Sequence, residues 1–402
     1  MTIPLVIRNV HLGDGSPTDI LVEEGRIAGR EPALDAPEGA EIEDGAGCLV
    51  LPGLVNAHAH ADKTLLGLPW QRNEGTATSI RGLVEHERQV LKSVDHDPER
   101  QSARFVRAAL AAGTTHIRTH VDVDGDVDLR HAEALLSTRE LFADEITIEL
   151  VAFPQAGLIL PPGSATLVET AVSYGLDVVG GIDPTLVDRD PVRHLDTVFE
   201  IAARARAPVD IHLHEPGELG AVTVEMIAER TARHSLQGRV TISHAFCLGA
   251  TSERRLAGLV EMLVAQRISV MSLGAGRSPV PPLLGLHAAG VALCTGSDGV
   301  RDAWGPYNSV DLLERVFLLG YRLGLRRDTD LETLLGIATV GGAAALGIEG
   351  HGIAAGDKAD FFLVPAETPV EAIATRPPRR LVVSRGRIVA RNGEYVGDHP
   401  ET

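Results

Sequence analysis

The stretch LVLPGLVNAHAHAD, residues 49–62, decides the fold and points to the chemistry. Its apolar run ends in His58 and His60, which are two positions apart. On a β-strand, residues i and i+2 point to the same face, so both imidazoles can aim at one point beyond a buried strand. This arrangement suits a divalent metal bound by neutral imidazole nitrogen. Because the chain has 16 histidines, the metal interpretation depends on what the other strands place beside this pair.

The composition is that of a globular protein large enough for one big domain or two smaller ones. The 402 residues are 44% hydrophobic and 23% charged. The net charge of −18 argues against nucleic acid or an anionic membrane as a partner. No segment approaches about 18 consecutive apolar residues, and the N-terminal residues lack the pattern of a signal peptide.

The cysteines indicate in which kind of cellular compartment, oxidising or reducing, the protein is expected. Cys48, Cys247 and Cys294 are odd in number, widely spaced and embedded in apolar runs. Buried free thiols in a reducing compartment are therefore expected. Together with the missing signal peptide, this predicts a cytoplasmic protein.

The middle of the chain alternates short apolar strands with amphipathic helical segments. The predicted strands cover residues 50–57, 115–120, 146–153, 177–182, 209–214, 240–244, 268–272 and 291–295. Helical periodicity covers residues 98–112, 128–142, 165–174, 191–205, 221–234, 252–266 and 309–323. Eight strands in alternation with helical segments predict an α/β fold, a parallel (β/α)8 TIM-type barrel.

Both chain ends are rich in short strands separated by turns. The candidates are residues 4–10, 20–23 and 26–29 at one end, and 359–364, 380–383 and 387–390 at the other. Their similar pattern predicts that they pair into one small β domain. We therefore expect this domain to comprise residues 1–51 and 350–402, with the barrel spanning residues 52–349.

Polar side chains collect where most of the predicted barrel strands end. In a (β/α)8 barrel, the chemistry lies at this C-terminal end of the strands. After His58 and His60, the later strands end in His120 and Asp122, Gln155, Asp183, His212 to Glu215, His244 and Asp298. Buried ionisable groups are costly unless they are paired or metal-bound, so the set predicts an active site.

At these positions the sequence resembles the amidohydrolase superfamily, specifically its cytosine deaminase-like branch. The matching motifs are PGLVNAHAH (52–60), THVD (119–122), VAFPQ (151–155), HLHE (212–215), SH (243–244), SD (297–298) and GDKAD (356–360). The resemblance spans almost the whole chain and implies that the small β domain is a β-sandwich. Within the branch, residues 151–157 are similar to cytosine deaminases. Residues 179–184, 243–247 and 297–304, with His214, are more similar to enzymes that cleave an alkylamine from a triazine ring.

The resemblance implies one role for each candidate site residue. A single divalent metal, Zn²⁺ or Fe²⁺, would be held by His58, His60, His212 and Asp298. Asp298 would also take a proton from the attacking water, Glu215 would protonate the ring nitrogen, and His244 would hydrogen-bond the attacking oxygen. Gln155 and Trp304 would contact the substrate.

Three further positions are weaker candidates for substrate binding. Lys63 follows the histidine pair directly, and His214 is either a substrate contact or a partner of another site residue. Trp70 lies on a long loop after the first strand, where it can close over the substrate or pack against the barrel rim.

The number of metal ions follows from a missing lysine. Members of the superfamily with two metals use a lysine at the end of the fourth strand as a bridging carbamate. Residues 177–183 contain no lysine, so a single metal is expected and ring opening of the dihydropyrimidinase type is disfavoured. Zinc and ferrous iron both suit nitrogen and carboxylate ligands.

The predicted function is hydrolytic removal of an amino or alkylamino group from a small nitrogen heterocycle of the pyrimidine or s-triazine type. Cytosine deaminase carries a second aspartate where this chain has Gly299, and an acid where it has His214, which argues against cytosine itself. The alternative is hydrolysis of a cyclic amide or lactam at the same metal site. A non-catalytic binder would lack one of the metal or proton-transfer residues, and none is missing. Relatives in the branch are often homo-oligomers, which implies the same here.

Overall fold

The computed structural model describes residues 3–13, 15–274, 276–307 and 309–399. Within these ranges the chain forms two sheets of eight strands each. One sheet is the predicted parallel barrel, and the other combines strands from both chain ends. The predicted α/β class, the (β/α)8 barrel and the β structure from the chain ends are confirmed.

The barrel strands follow one another in chain order, and each pairs in parallel with the next. They are β5 (Leu54–Ala59), β6 (Thr114–Asp122), β7 (Thr147–Phe153), β8 (Val178–Ile182), β9 (Val209–His212), β10 (Val240–Ser243), β11 (Ser269–Met271) and β12 (Leu293–Cys294). Each corresponds to a predicted strand. Residues 50–52 are an exception, because they belong to a strand of the other sheet rather than to the first barrel strand.

The last strand closes the barrel against the first. The amide of Ala57 donates to the carbonyl of Thr295 at 3.0 Å, and the amide of Asp298 donates to the carbonyl of His58 at 2.8 Å. Gly296 permits this approach, since a Cβ there would lie 2.3 Å from the His58 carbonyl oxygen. Closure of the barrel therefore brings Asp298, which follows β12, beside His58 and His60 at the end of β5.

The helices surround the barrel. They are α1 (Ile80–Ser93), α2 (Pro98–Ala111), α3 (Arg130–Leu141), α4 (Ser164–Ser173), α5 (Pro191–Ala205), α6 (Gly217–Arg233), α7 (Glu253–Ala265), α8 (Leu283–Ala288), α9 (Leu312–Leu323), α10 (Asp328–Ile337), α11 (Val340–Ala345) and α12 (Pro369–Thr375). Seven match predicted segments, and α5 matches to the residue. The sequence reading missed α1, which is mostly polar and has only two buried residues, Val84 and Glu87.

The second sheet has the order β16-β15-β14-β13-β4-β1-β2-β3. Its strands are β1 (Leu5–His11), β2 (Thr18–Glu23), β3 (Arg26–Glu31), β4 (Glu41–Pro52), β13 (Phe361–Val364), β14 (Leu381–Ser384), β15 (Arg387–Arg391) and β16 (Glu394–Tyr395). The domain boundaries at residues 51/52 and 349/350 stay predictions.

This sheet is buried on both faces in its centre. Phe361 and Leu363 pack into a core of the sheet's own, with Val50 and Val383. The alternate residues Phe362 and Val364 belong to the large core that includes the barrel. Because alternate residues of β13 point to opposite faces of the sheet, this strand packs the sheet against the barrel.

None of the helices in the described ranges is both long and apolar enough to cross a bilayer. Cys48, Cys247 and Cys294 are buried and unpaired, which confirms the expectation of free thiols.

The packing of the sheet against the barrel predicts that truncation of Phe362 lowers the stability of the protein. Its ring is 0% exposed, so Phe362→Ala should lower the free energy of unfolding by about 3–5 kcal/mol. Ile42→Ala, on β4 of the same sheet, is the matched control because its side chain is 55% exposed and its loss should cost at most about 0.5 kcal/mol. Urea unfolding followed by circular dichroism measures both, and equal midpoints would contradict the assigned join.

Candidate active site

Four ligand-type side chains meet at the C-terminal end of the barrel. His58 lies on β5, His60 directly follows it, His212 ends β9, and Asp298 follows β12. Asp298 Oδ1 lies 3.3 Å from His60 Nε2 and 3.7 Å from His58 Nε2. His60 Nε2 is in turn 3.4 Å from His212 Nε2. The three imidazoles belong to one group whose ligand atoms all lie within 4.8 Å of one another.

A hydrogen-bonded chain behind His58 fixes its tautomer. Ser243 Oγ donates to Asp210 Oδ1 at 2.6 Å, so its single hydrogen is used. His58 Nδ1, 3.0 Å from the same oxygen, must then be the donor. Arg118 holds Asp210 from the other side at 3.3 Å. His58 Nε2 therefore keeps its lone pair and points it into the cluster.

This cluster fits a divalent cation. His58 Nε2 is buried and lacks a hydrogen-bond partner among the described residues, although it faces the Asp298 carboxylate. A bare lone pair beside a carboxylate is unfavourable unless positive charge lies between them. Three nitrogens and one carboxylate oxygen are the ligand types of zinc and of ferrous iron.

The electrostatics keep the ligand histidines neutral. Burial lowers the pKa of His58 well below its usual value, and the neighbouring His244 lowers it further. Burial also lowers the pKa of His212, with His120 adding to the effect. Neutral imidazole is the form that binds a metal.

A cavity of about 860 Å³ opens above this cluster. The described residues that line it include His60, His212 and Asp298, together with four of the expected substrate or catalytic residues. Those four are Gln155, His214, His244 and Trp304. Lys63 lines it as well, although its side chain is only 2% exposed.

His214 is clamped by a buried aspartate. Asp183 Oδ2 accepts from His214 Nδ1 at 2.7 Å, and Asp183 Oδ1 accepts from the His214 amide at 2.6 Å. Burial alone would lower the pKa of His214, but the charge and hydrogen bond of Asp183 raise it above its usual value. With Nδ1 occupied, Nε2 is the nitrogen available to a ligand.

His244 lies beside His214, with ring centroids 4.3 Å apart. Neither nitrogen of His244 has a hydrogen-bond partner in the described part of the chain. Burial lowers its pKa to about 3, and the charge of His214 acts in the same direction. A neutral imidazole that lines the cavity can donate one hydrogen bond and accept another.

Glu215 occupies a different place from the one expected. Its Oε1 accepts from the amides of Thr185 (2.6 Å) and Leu186 (3.2 Å), and its Oε2 accepts from Thr223 Oγ1 (2.5 Å). Glu215 is 0% exposed and is not among the described residues that line the cavity. The structure thus places the Glu215 carboxylate against the loop after β8, and its expected role as proton donor stays a prediction.

Trp70 is the second residue that the structure places elsewhere. It is 64% exposed, and Arg301 lies over its ring at 5.5 Å from the centroid. It is not among the described residues that line the main cavity. Of the two alternatives for Trp70, the structure therefore agrees with packing at the barrel rim.

Part of the cavity lining is a polar cluster that includes Lys63 and Gln155. Lys63 Nζ donates to Asp122 Oδ1 at 2.7 Å and to Gln155 Oε1. Gln155 Nε2 donates to Glu87 Oε1 at 2.7 Å, and Trp304 Nε1 donates to Glu87 Oε2 at 2.7 Å. Glu87 comes from α1 and was missed by the sequence reading.

Position 299, where this chain has glycine and cytosine deaminase has an aspartate, lies against the side chain of Asp302. A Cβ at Gly299 would lie 1.7 Å from Asp302 Oδ2. The Asp302 carboxylate thus occupies the space that a side chain at position 299 would need. Its Oδ1 accepts from the amides of Trp304 (2.9 Å) and Gly305 (3.2 Å), which leaves Oδ2 at the cavity wall.

Comparison with known proteins identifies the family. A model of the amidohydrolase family matches residues 80–394. N-isopropylammelide isopropyl amidohydrolase of Pseudomonas sp. (strain ADP) is 31% identical over 401 residues, covering 98% of each chain. The chain belongs to the amidohydrolase family. It is accordingly a hydrolase that acts on carbon–nitrogen bonds, and the resemblance found in the sequence is confirmed.

Solved structures of two relatives share the fold of this amidohydrolase. N-isopropylammelide isopropylaminohydrolase from Burkholderia multivorans is 46% identical and superposes with a TM-score of 0.95, covering 98% of this chain and 100% of the other. A 5-methylcytosine deaminase from Klebsiella pneumoniae, solved with 5-fluorocytosine, has a TM-score of 0.84 at 24% identity and covers 99% of each chain. The second likeness shows the fold alone.

The Ser243–Asp210 chain of this amidohydrolase predicts the outcome of a single substitution. Ser243→Ala removes the acceptor that keeps the proton on His58 Nδ1, so affinity for Zn²⁺ should fall about 10- to 100-fold. Competition with a chromogenic chelator measures this without any substrate. Ser272→Ala is the matched control, since Ser272 is a buried serine after the neighbouring strand β11. Equal affinities of the two variants would contradict the role of Ser243.

Proposed function

We propose that this amidohydrolase is a single-metal aminohydrolase that removes an alkylamino or amino group from an oxo-substituted s-triazine or pyrimidine ring. The observation that carries the proposal is the convergence of His58, His60, His212 and Asp298 at a cavity that Lys63 and Gln155 also line. An amine-bearing carbon can then lie over the cluster while the rest of the ring contacts the amide of Gln155. The 46% identity to an N-isopropylammelide isopropylaminohydrolase favours the alkylaminotriazine as substrate.

The metal would be held by the four converging side chains. A bound divalent cation supplies Lewis acidity, which makes water nucleophilic near neutral pH. The cytoplasmic location, the homo-oligomer and the absence of nucleic-acid partners stay predictions.

The chain's own residues would handle the protons. A carboxylate oxygen of Asp298 would accept the proton that the attacking water loses. His214 Nε2 would give a proton to the nitrogen of the leaving amine, since Asp183 already holds Nδ1. The ring carbon gains an oxygen, its bond to the exocyclic nitrogen breaks, and the products are an oxo-substituted ring and an amine.

His244 would stabilise the oxygen that becomes negative as the carbon turns tetrahedral. Its nitrogens line the cavity and have no competing partner among the described residues. Hydrogen bonds aimed at developing charge act most strongly where water is excluded. The 2% exposure of His244 fits this role.

The substrate assignment is tested by product analysis. Protein loaded with Zn²⁺ or Fe²⁺ should release isopropylamine from N-isopropylammelide, and ammonia from an amino-substituted analogue at a lower rate. Removal of the metal by a chelator should lower the rate more than about a hundredfold, and re-addition should restore it. A ring-opened acid would instead support the cyclic amide alternative, and no product from any triazine or pyrimidine would overturn the proposal.

The choice of proton donor is tested by two neighbouring substitutions. His214→Asn keeps an N–H for Asp183 but cannot transfer a proton, so kcat/KM should fall about 10²–10⁴-fold. Glu215→Gln keeps an oxygen for the amides of Thr185 and Leu186, and should stay within about tenfold of wild type. Steady-state kinetics on N-isopropylammelide compare them. A large loss in Glu215→Gln with little loss in His214→Asn would return the role to Glu215.

A further inference from the structure

The carboxylate of Glu87 connects three parts of the active site that are far apart in the chain. It accepts from Gln155, which follows β7, and from Trp304, which follows β12, at 2.7 Å each. Its Oε1 also lies 3.8 Å from Nζ of Lys63, which follows β5. Glu87 is 1% exposed and is one of only two buried residues of α1, all of which the structure describes. A buried charge in such a position needs these partners.

The partners of Gln155 determine which way its amide points. Lys63 can only donate, so the atom beside it must be the carbonyl oxygen Oε1. The ionised carboxylate of Glu87 can only accept, so the atom beside it must be the amino group Nε2. Glu87 and Lys63 therefore hold the amide in one of its two orientations.

The fixed amide presents an ordered row of groups to a ligand. Lys63 has three hydrogens and uses two on Asp122 and Gln155. Gln155 Oε1 keeps a second lone pair, and Nε2 keeps a second hydrogen. The order along this wall is donor, acceptor, donor. Its complement is acceptor, donor, acceptor, which is the edge of a cyclic imide with an N–H between two carbonyl groups.

We propose that Glu87 is a positioning residue that fixes the amide of Gln155 and the indole of Trp304, and thereby selects heterocycles with an imide edge. The inference rests on the proposed function and narrows its substrate class. An alkylamino-triazine-dione has this edge, whereas cytosine has only one carbonyl group and an unprotonated ring nitrogen beside it. Selection for an imide edge therefore argues against cytosine as a substrate, as the glycine at position 299 also does.

Glu87→Gln is the informative substitution because of its hydrogen-bonding inventory. The carboxylate accepts from both Gln155 and Trp304, but a carboxamide has one oxygen and an N–H₂ group. It can satisfy one of the two donors and must set its own N–H₂ against the other. The Gln155 amide then loses its fixed orientation, or the indole loses its partner.

The experiment measures binding of cyanuric acid, a ring with imide edges, to metal-loaded protein. The chain has two tryptophans, so the Trp70→Phe background leaves Trp304 as the single reporter of fluorescence. In this background Glu87→Gln should shift the Trp304 emission and raise the Kd for cyanuric acid at least tenfold. Glu85→Gln, on the exposed face of the same helix, is the control and should change neither. Burial raises the pKa of Glu87 to about 7. The assays therefore use alkaline buffer, which keeps Glu87 ionised in the Glu85→Gln control.

Catalysis supplies a second readout. The ratio of kcat/KM for N-isopropylammelide to that for cytosine should fall at least tenfold in Glu87→Gln, mainly through KM for the triazine. In a Gln155→Ala background the same substitution should have much less effect, since the two residues act together. Glu87→Asp, which keeps the charge but shortens the side chain, should change binding in the same direction and serves if Glu87→Gln does not fold.

The outcomes separate this inference from the proposed function. Unchanged cyanuric acid affinity in Glu87→Gln or Glu87→Asp overturns the inference, and so does a shifted Trp304 emission with no change in affinity. Weakened binding in the Glu87 variants supports it even when wild type turns over no triazine, in which case the proposed reaction alone fails.

Discussion

The active site depends on four electron-rich atoms that the fold forces together. Asp298 Oδ1 lies 3.3 Å and 3.7 Å from the Nε2 atoms of His60 and His58, and His212 Nε2 lies 3.4 Å from that of His60. Such a group repels itself unless a cation neutralises it. The pKa shifts make a proton a poor substitute, because burial lowers the affinity of His58 and His212 for protons. A divalent cation bound among these atoms would neutralise them, and the Ser243–Asp210–Arg118 chain behind His58 keeps its lone pair available.

The backbone at the ends of the barrel strands serves the same arrangement. Asp183, His244 and Asp298 have positive φ angles of 31°, 71° and 60°. A non-glycine residue rarely adopts this region, and such residues cluster at functional sites where the surroundings enforce them. Asp183 and His244 directly follow β8 and β10, and Asp298 lies in the segment after β12. The left-handed turn lets the chain leave the strand, and the ladder and closure hydrogen bonds hold that conformation in place.

The sequence predicted the parts of this structure that follow from local periodicity. The eight strands alternate with helices, and the polar residues at their ends reveal the site, because a parallel barrel brings all those ends together. It did not predict Glu87, a carboxylate that interrupts the apolar face of α1 between Val84 and Val90. It also did not predict the place of Asp302 in the cavity lining. Its contact with Gly299 depends on the turn after β12, which the sequence does not specify. The contacts of Glu87 join residues far apart in the chain, and those of Asp302 depend on the conformation of a turn. Hydrophobic periodicity therefore carries no signal for either residue.

Glu215 and His214 lie beyond His212, the last residue of β9, and they reach different partners. His214 Nδ1 contacts Asp183, whereas Glu215 turns toward the loop after β8. There its carboxylate meets the amides of Thr185 and Leu186 rather than the cavity. The family motif points to Glu215 as the proton donor, whereas the proposed mechanism uses the imidazole of His214, which Asp183 orients. The proposed transfer of the role to position 214 depends on Asp183, because a buried partner is needed to orient the new side chain.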